Sequence, residues 1–131
     1  MATKKKQYYG IKFPFTSDNE QGFFLDLNAD LKEKTETEIA HIILTQKKTR
    51  IMNPDFGTNI IKFIFEPGDD LTWDGVVTEV REAVSKYVPN ALISNIDIEK
   101  NGENAIRLKI FYSIKMGNKI TNNEMTLNLT K

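Results

Sequence analysis

Ile106-Arg107-Leu108-Lys109-Ile110-Phe111-Tyr112-Ser113-Ile114-Lys115-Met116 repeats with a period of two. Successive side chains of a strand point to opposite faces. Ile106, Leu108, Ile110, Tyr112, Ile114 and Met116 therefore share one face, and Arg107, Lys109, Phe111, Ser113 and Lys115 the other. Gly117-Asn118 is a turn pair leading into residues 119–129, where Met125, Leu127 and Leu129 keep one face apolar. Upstream, residues 92–98 read as a strand, and Asn101-Gly102 as the turn of a loop of about four residues. Three strands joined by short turns make an antiparallel meander with one apolar face, and that face must be covered.

The cover comes from two helices before the sheet. Val76, Val77, Val80, Ala83, Val84 and Tyr87 recur at helical spacing, with candidate N-caps at Asp69, Asp70 and Thr72 and an acidic first turn at Asp74. Trp73 reads as a packing anchor at that start. Pro89 ends the helix by disfavouring the helical region at Val88. An earlier helix carries Ile39, Ile42 and Ile43 on one side and runs to about Thr45; Thr35-Glu36-Thr37-Glu38 fits a capping box at its start. Lys47 and Lys48 follow, on the negative end of its dipole. The fold class is α+β: two main helices on one face of a C-terminal antiparallel meander.

Between the helices lies Asn53-Pro54-Asp55-Phe56-Gly57. Proline suits the second position of a type I turn, with Asn before it and Gly at the end. Phe56 is then held on a short rigid corner, as a plug for its own core or as an anchor for a partner. Residues 1–31 form an extended, aromatic-rich arm. Its Tyr8, Tyr9, Phe13, Phe15, Phe23 and Phe24 follow no sustained period, and Pro14 and Gly22 interrupt it. Six aromatics must lie on the body or on a neighbour. The 131 residues make one domain: arm 1–31, helical part 32–90, sheet 91–131.

Lysine plus arginine equals aspartate plus glutamate at 18 each, so electrostatics gives no case for nucleic acid or an anionic membrane as partner. Lys4-Lys5-Lys6 reads as a solvated tail. With no cysteine there is no disulfide and no thiolate metal site, and no segment has the length of a membrane span. His41 is the only histidine and reads as a solvated or capped helix residue. Asp69-Asp70 is explained by the helix start. Glu20 and Asp26 around Gly22-Phe23-Phe24, and Glu66 before Pro67, are the carboxylates a glycoside hydrolase would need, but nothing fixes their separation. No catalytic residue, metal or cofactor is expected.

The final strand begins Thr121-Asn122-Asn123, lacks proline and has only Glu124 between Lys119 and Lys131. As the last strand of a meander it is an edge that ordinary blunting devices leave open, able to accept a partner strand.

Gly10-Ile11-Lys12-Phe13-Pro14-Phe15, Gly22, Leu44-Thr45, Lys48-Thr49-Arg50, Pro54-Asp55-Phe56-Gly57, Phe65-Glu66-Pro67 and Tyr87-Val88-Pro89 follow one another in an order that is informative as a set. In this order the chain resembles the small baseplate wedge proteins, or sheath initiators, of contractile phage tails, type VI secretion and related injection machines, sometimes labelled lysozyme-like. The resemblance implies a structural subunit present in several copies in a baseplate ring, assembled in the bacterial host cytoplasm and then part of the tail baseplate. Its implied partners are wedge scaffold proteins, at Arg50, Pro54, Phe56, Gly57, Tyr87 and Pro89, and the tail sheath protein, at Ile120, Met125, Leu127 and Leu129. The sheath would be seeded by strand addition. A peptidoglycan-degrading enzyme and a free-standing strand-binding module are the alternatives.

Two departures stand out. The family's Glu-Pro-Arg after the second helix is Val88-Pro89-Asn90 here, so any contact there is apolar, absent or supplied elsewhere. Lys48 replaces the usual glycine before the basic turn, which argues against an obligatory positive φ at that position.

Overall fold

The computed structural model describes residues 8–13, 27–28, 30–63, 70–103 and 105–130. The elements are α1 (Leu31–Leu44), α2 (Ile60–Phe63), α3 (Asp70–Tyr87), β1 (Ala91–Lys100), β2 (Ala105–Met116) and β3 (Lys119–Thr130). The strands form one antiparallel sheet in the order β1-β2-β3.

The period-two reading of β2 holds along its length. Ile106, Leu108, Ile110, Tyr112 and Ile114 are all buried, beneath Ile39, Ile42 and Ile43 of α1 and Val76, Val80, Ala83 and Val84 of α3. Both helices lie on that one face. Burying a valine contributes about 1.5–3 kcal/mol. That outweighs the few tenths each valine costs in helix propensity, so the sheet holds α3 helical. Tyr112 is the largest buried side chain. Its hydroxyl donates to Glu36 Oε1 of α1 at 3.0 Å. Burial, reinforced by the Glu36 charge and hydrogen bond, pushes the phenol above its ordinary value.

Met116 departs from the expected pattern. It has the parity of the core face but is 54% exposed. The cause is the pairing: β1 begins at Ala91 opposite Ile114, so the end of the β2–β3 hairpin has no third strand beside it. Gly117 closes that hairpin at φ +58°, as the first central position of a II′ turn requires. On the opposite, polar face, Lys109 lies 2.7 Å from Glu99 and Arg107 3.6 Å. The Lys109 hydrogen bond and charge hold the Glu99 carboxyl below its usual range.

Helix α1 starts one turn earlier than the capping-box reading expected. Asp30 is the N-cap, its carboxylate accepting from Leu31 N at 3.0 Å. Aspartate caps as well as threonine does, and the added turn lets Leu31 pack against the core. Thr35 is thus a buried interior residue, donating to the Leu31 carbonyl at 2.9 Å, and Glu38 pairs with Lys34 at 3.6 Å. Helix α3 begins at Asp70 and ends at Tyr87 before Pro89, as expected; the caps expected over residues 69–72 fall outside what the structure describes. Trp73 is partly buried against the core.

Where the arm is described, it is tied to α1. Tyr9 N donates to Asn28 O at 2.9 Å and Asn28 N to Gly10 O at 2.7 Å, and Ile11 bridges Leu27 antiparallel. Buried Asn28 accepts from the Thr37 hydroxyl at 3.4 Å. The Phe13 ring meets His41 edge-on, 5.2 Å between centroids, so His41 is half-buried beneath the arm instead of solvated. Lys4 to Lys6, Phe15, Phe23 and Phe24 lie outside the described residues, as do Glu20, Asp26, Glu66 and Asp69.

Candidate interaction site

The connection from α1 to α2 is built on two close backbone approaches. Thr58 N donates to Thr45 O at 2.9 Å and Lys47 N to Thr58 O at 3.3 Å, a short parallel bridge. Gly57 sits against this bridge, buried, at φ +108°, and a Cβ there would overlap the Thr45 carbonyl. The turn itself is Asn53 to Phe56, closed by Phe56 N donating to Asn53 O at 3.1 Å. Gly57 therefore follows the turn instead of ending it, and its role is the close approach.

Lys48 reverses an expectation. It has φ +69°, the only positive value at a non-glycine among the described residues. The backbone here is left-handed without a glycine. The setting is local: Lys48 N donates to Pro54 O at 2.7 Å, closing residues 48–54 into a ring, and the left-handed conformation turns the chain into that bond. Glu79 of α3, its side chain 15% exposed, braces the same corner. It accepts from Asn59 N at 3.1 Å, Asn59 Nδ2 at 3.0 Å and Lys47 Nζ at 3.0 Å.

Of the six expected wedge-contact residues, three stack together. The Arg50 guanidinium lies 4.1 Å above the Phe56 ring. Phe56 meets Tyr87 edge-on at 4.8 Å, and Lys86 Nζ lies 5.2 Å over Tyr87. Phe56 is half-buried against the core, so it is largely a plug for its own domain. The Tyr87 hydroxyl is buried and has no hydrogen-bond partner among the described residues. Arg50, Phe56, Tyr87 and Val88 edge a shallow concavity of about 320 Å³ with Glu38 and His41. Pro54 and Pro89 are exposed beside it; Gly57 is buried and offers a partner no surface. Val88, in place of the family's glutamate, is 3% exposed, so that position faces its own core.

Ile51 and Met52 carry no expectation from the sequence. They are 97% and 96% exposed at the apex of the 48–54 ring. Two large apolar side chains between a basic turn and Asn53-Pro54, belonging to no helical or strand period, were the available signal.

In the sheet β3 keeps register with β2 from Ala105↔Thr130 to Met116↔Lys119 without a bulge, and no described strand pairs with its outer edge. β1, the other edge, has a register break between Ile93 and Asn95 and carries Asp97, Glu99 and Lys100. A bulge and charges are standard protections of an edge. The four expected sheath-contact residues do not form one patch. Met125 and Leu127 are half-buried and Leu129 is 5% exposed, all on the helix-covered face, while Ile120, 65% exposed, is on the opposite face. The Leu129 side chain is committed to the domain's own core, so contact at that position runs through the backbone.

Among the described residues no three His, Asp or Glu side chains cluster as a metal site would need, and no helix is long and apolar enough to cross a membrane.

The fold recurs in solved structures. A crystal structure from Geobacter sulfurreducens, provisionally named a tail lysozyme, superposes with a TM-score of 0.63 at 23% identity, covering 78% of this chain and 94% of its own. A chain of the anti-feeding prophage baseplate gives 0.59 at 17% identity over 88% and 81%, and one of the postcontracted pyocin R2 baseplate 0.52 at 13% over 89% and 98%. At these identities the likeness is one of fold. No curated protein matches the chain significantly. The family model described as baseplate wedge protein gp25 matches residues 29–119, well over half the chain. The chain belongs to that family, the structural baseplate components of contractile tails and injection machines.

Proposed function

We propose that the chain is a wedge subunit, one domain present in several copies in the baseplate ring, that docks on scaffold neighbours through the Arg50–Phe56–Tyr87 corner with Pro54 and Pro89. Its free β3 edge accepts a strand of the tail sheath protein and so sets the start of the first sheath ring. Assembly takes place in the host cytoplasm, and the work is templating, with no covalent step. The observation that carries this reading is the unbroken twelve-residue β3, open on its outer side while β1 is blunted.

In this reading the acting groups are the backbone donors on the outer side of β3. The two-residue turn makes Met116 and Lys119 the closing hydrogen-bonded pair, so the N–H groups of Ile120, Asn122, Glu124, Thr126 and Asn128 point away from β2. Strand addition uses those groups, with the exposed Ile120 side chain helping to set register. Thr126→Pro removes one outward donor and leaves the β2 ladder and the core side chains in place. We expect particles carrying Thr126→Pro to show baseplates on tubes with missing or off-register sheath by electron microscopy, while circular dichroism of the isolated variant is unchanged. Normally sheathed tails would remove the β3 edge from the mechanism.

A further inference from the structure

Phe56 is the aromatic that a docking reading singles out first, yet its ring is engaged on both sides, by Arg50 and by Tyr87. The free apolar surface of the corner lies elsewhere. Ile51 and Met52 stand at the apex of the 48–54 ring with almost no intramolecular contact, 97% and 96% exposed. Among the described residues the next most exposed large apolar side chain, Ile120, retains 65%. The apex is also held still: Lys48 N to Pro54 O closes its neck, Phe56 N to Asn53 O closes the turn behind it, and Thr49 Oγ1 donates to Gln46 O at 2.7 Å. A rigid loop presenting large side chains loses little freedom when it binds.

The N-terminal flank carries positive charge. Lys48 and Arg50 are exposed and form no ion pair among the described residues, whereas Lys47, one residue away, is paired with Glu79. An apolar tip with two cations on its N-terminal side, and exposed Asp55 beyond Pro54 on the other, is complementary to an apolar socket with carboxylates along one edge. An anionic bilayer fits less well: the chain's charges balance at 18 against 18, so no long-range attraction holds it to such a surface.

We infer that Ile51 and Met52 form a plug that seats in an apolar, carboxylate-edged socket on a neighbouring baseplate protein, with Lys48 and Arg50 meeting the edge. This rests on the wedge reading above and gives its docking corner a specific anchor. Phe56 and Tyr87 then act as the plug's mount.

The test uses the whole chain in assembled baseplates. Ile51→Asp with Met52→Asp places charge on the plug; because neither side chain packs on the domain, the isolated variant should keep the wild-type thermal midpoint. We expect its occupancy in purified baseplates to fall by roughly tenfold or more. Lys48→Glu should lower occupancy too, with a deficit that changes as salt is raised. The chain has no cysteine, so Met52→Cys carries a single bimane label whose iodide quenching reports exposure directly. We expect strong quenching in the free chain and protection in the baseplate. Wild-type occupancy by the aspartate variant, or a label that stays quenched in assembled baseplates, would overturn the plug and leave the wedge reading standing. Absence of the wild-type chain from purified baseplates would overturn that reading itself. Two further outcomes would reassign the occupant: sedimentation with vesicles of phosphatidylglycerol and phosphatidylcholine that the aspartate pair abolishes, or self-association of the isolated chain that the same pair abolishes.

Discussion

Lys48→Gly should stabilise the protein. A side chain in the left-handed region costs about 1–2 kcal/mol. Lys48 sits there at φ +69°. Glycine removes that cost, and returns about 0.4–1 kcal/mol of it through the greater freedom of the unfolded chain. Little else changes. The Lys48 side chain is exposed and makes no ion pair among the described residues, and the N–H that donates to Pro54 O at 2.7 Å survives the substitution. The balance is a gain of roughly 0.5–1 kcal/mol, or about 2–4 °C in midpoint for a domain of this size. Urea unfolding followed by the fluorescence of Trp73, the only tryptophan and partly buried against the core, reads it directly. The midpoint should rise with the slope unchanged. Lys48→Ala is the control: it keeps the left-handed cost, so the glycine variant should exceed it by about 1 kcal/mol. Equal stabilities for glycine and alanine would refute the left-handed assignment and the ring-closure argument with it.

Gly57→Ala should cost about 2–4 kcal/mol, since a Cβ meets the Thr45 carbonyl at a φ that L-residues avoid; calorimetry of the purified variant checks it. Glu79→Ala leaves Asn59 and Lys47 without their shared acceptor and should cost about 1–3 kcal/mol by chemical denaturation, with amide exchange rising first at Asn59. The Tyr112 phenol is raised in the folded state, so its contribution to stability is complete below the unfolded tyrosine value of about 10 and declines as pH rises beyond it. Tyr112→Phe should cost about 1 kcal/mol at neutral pH through the lost Glu36 hydrogen bond, and flatten the alkaline part of a stability–pH profile.

Much of this fold could be read from the chain because its periodicities are strong and unopposed. Residues 106–114 alternate without exception on the buried side, and Val76, Val80, Ala83 and Val84 can share a face only in a helix. The readings that failed turned on competition or context. Asp30 and Thr35 are both sound N-caps, and a tertiary contact of Leu31 decided between them. Met116 has the right parity, but its exposure depends on where a different strand begins. At Lys48 residue identity was taken as a guide to φ, and a hydrogen bond to Pro54, six residues on, overrode it. The corner at residues 53–57 was legible as a turn, since proline and asparagine announce one. Which aromatic would turn inward, and which apolar pair would be left outside, depended on Tyr87, thirty-one residues beyond Phe56 in sequence.

The unequal margins of the sheet bear on counting. Under the proposed strand addition, a three-stranded sheet blunted at β1 and open at β3 would have a valency of one. Two open margins would let copies chain into ribbons of indefinite length, and two closed margins would leave nothing to extend. With one, a ring holding a given number of copies can engage that number of incoming strands and no more. Stoichiometry would then be set by arithmetic at the ring, before any property of the growing polymer comes into play.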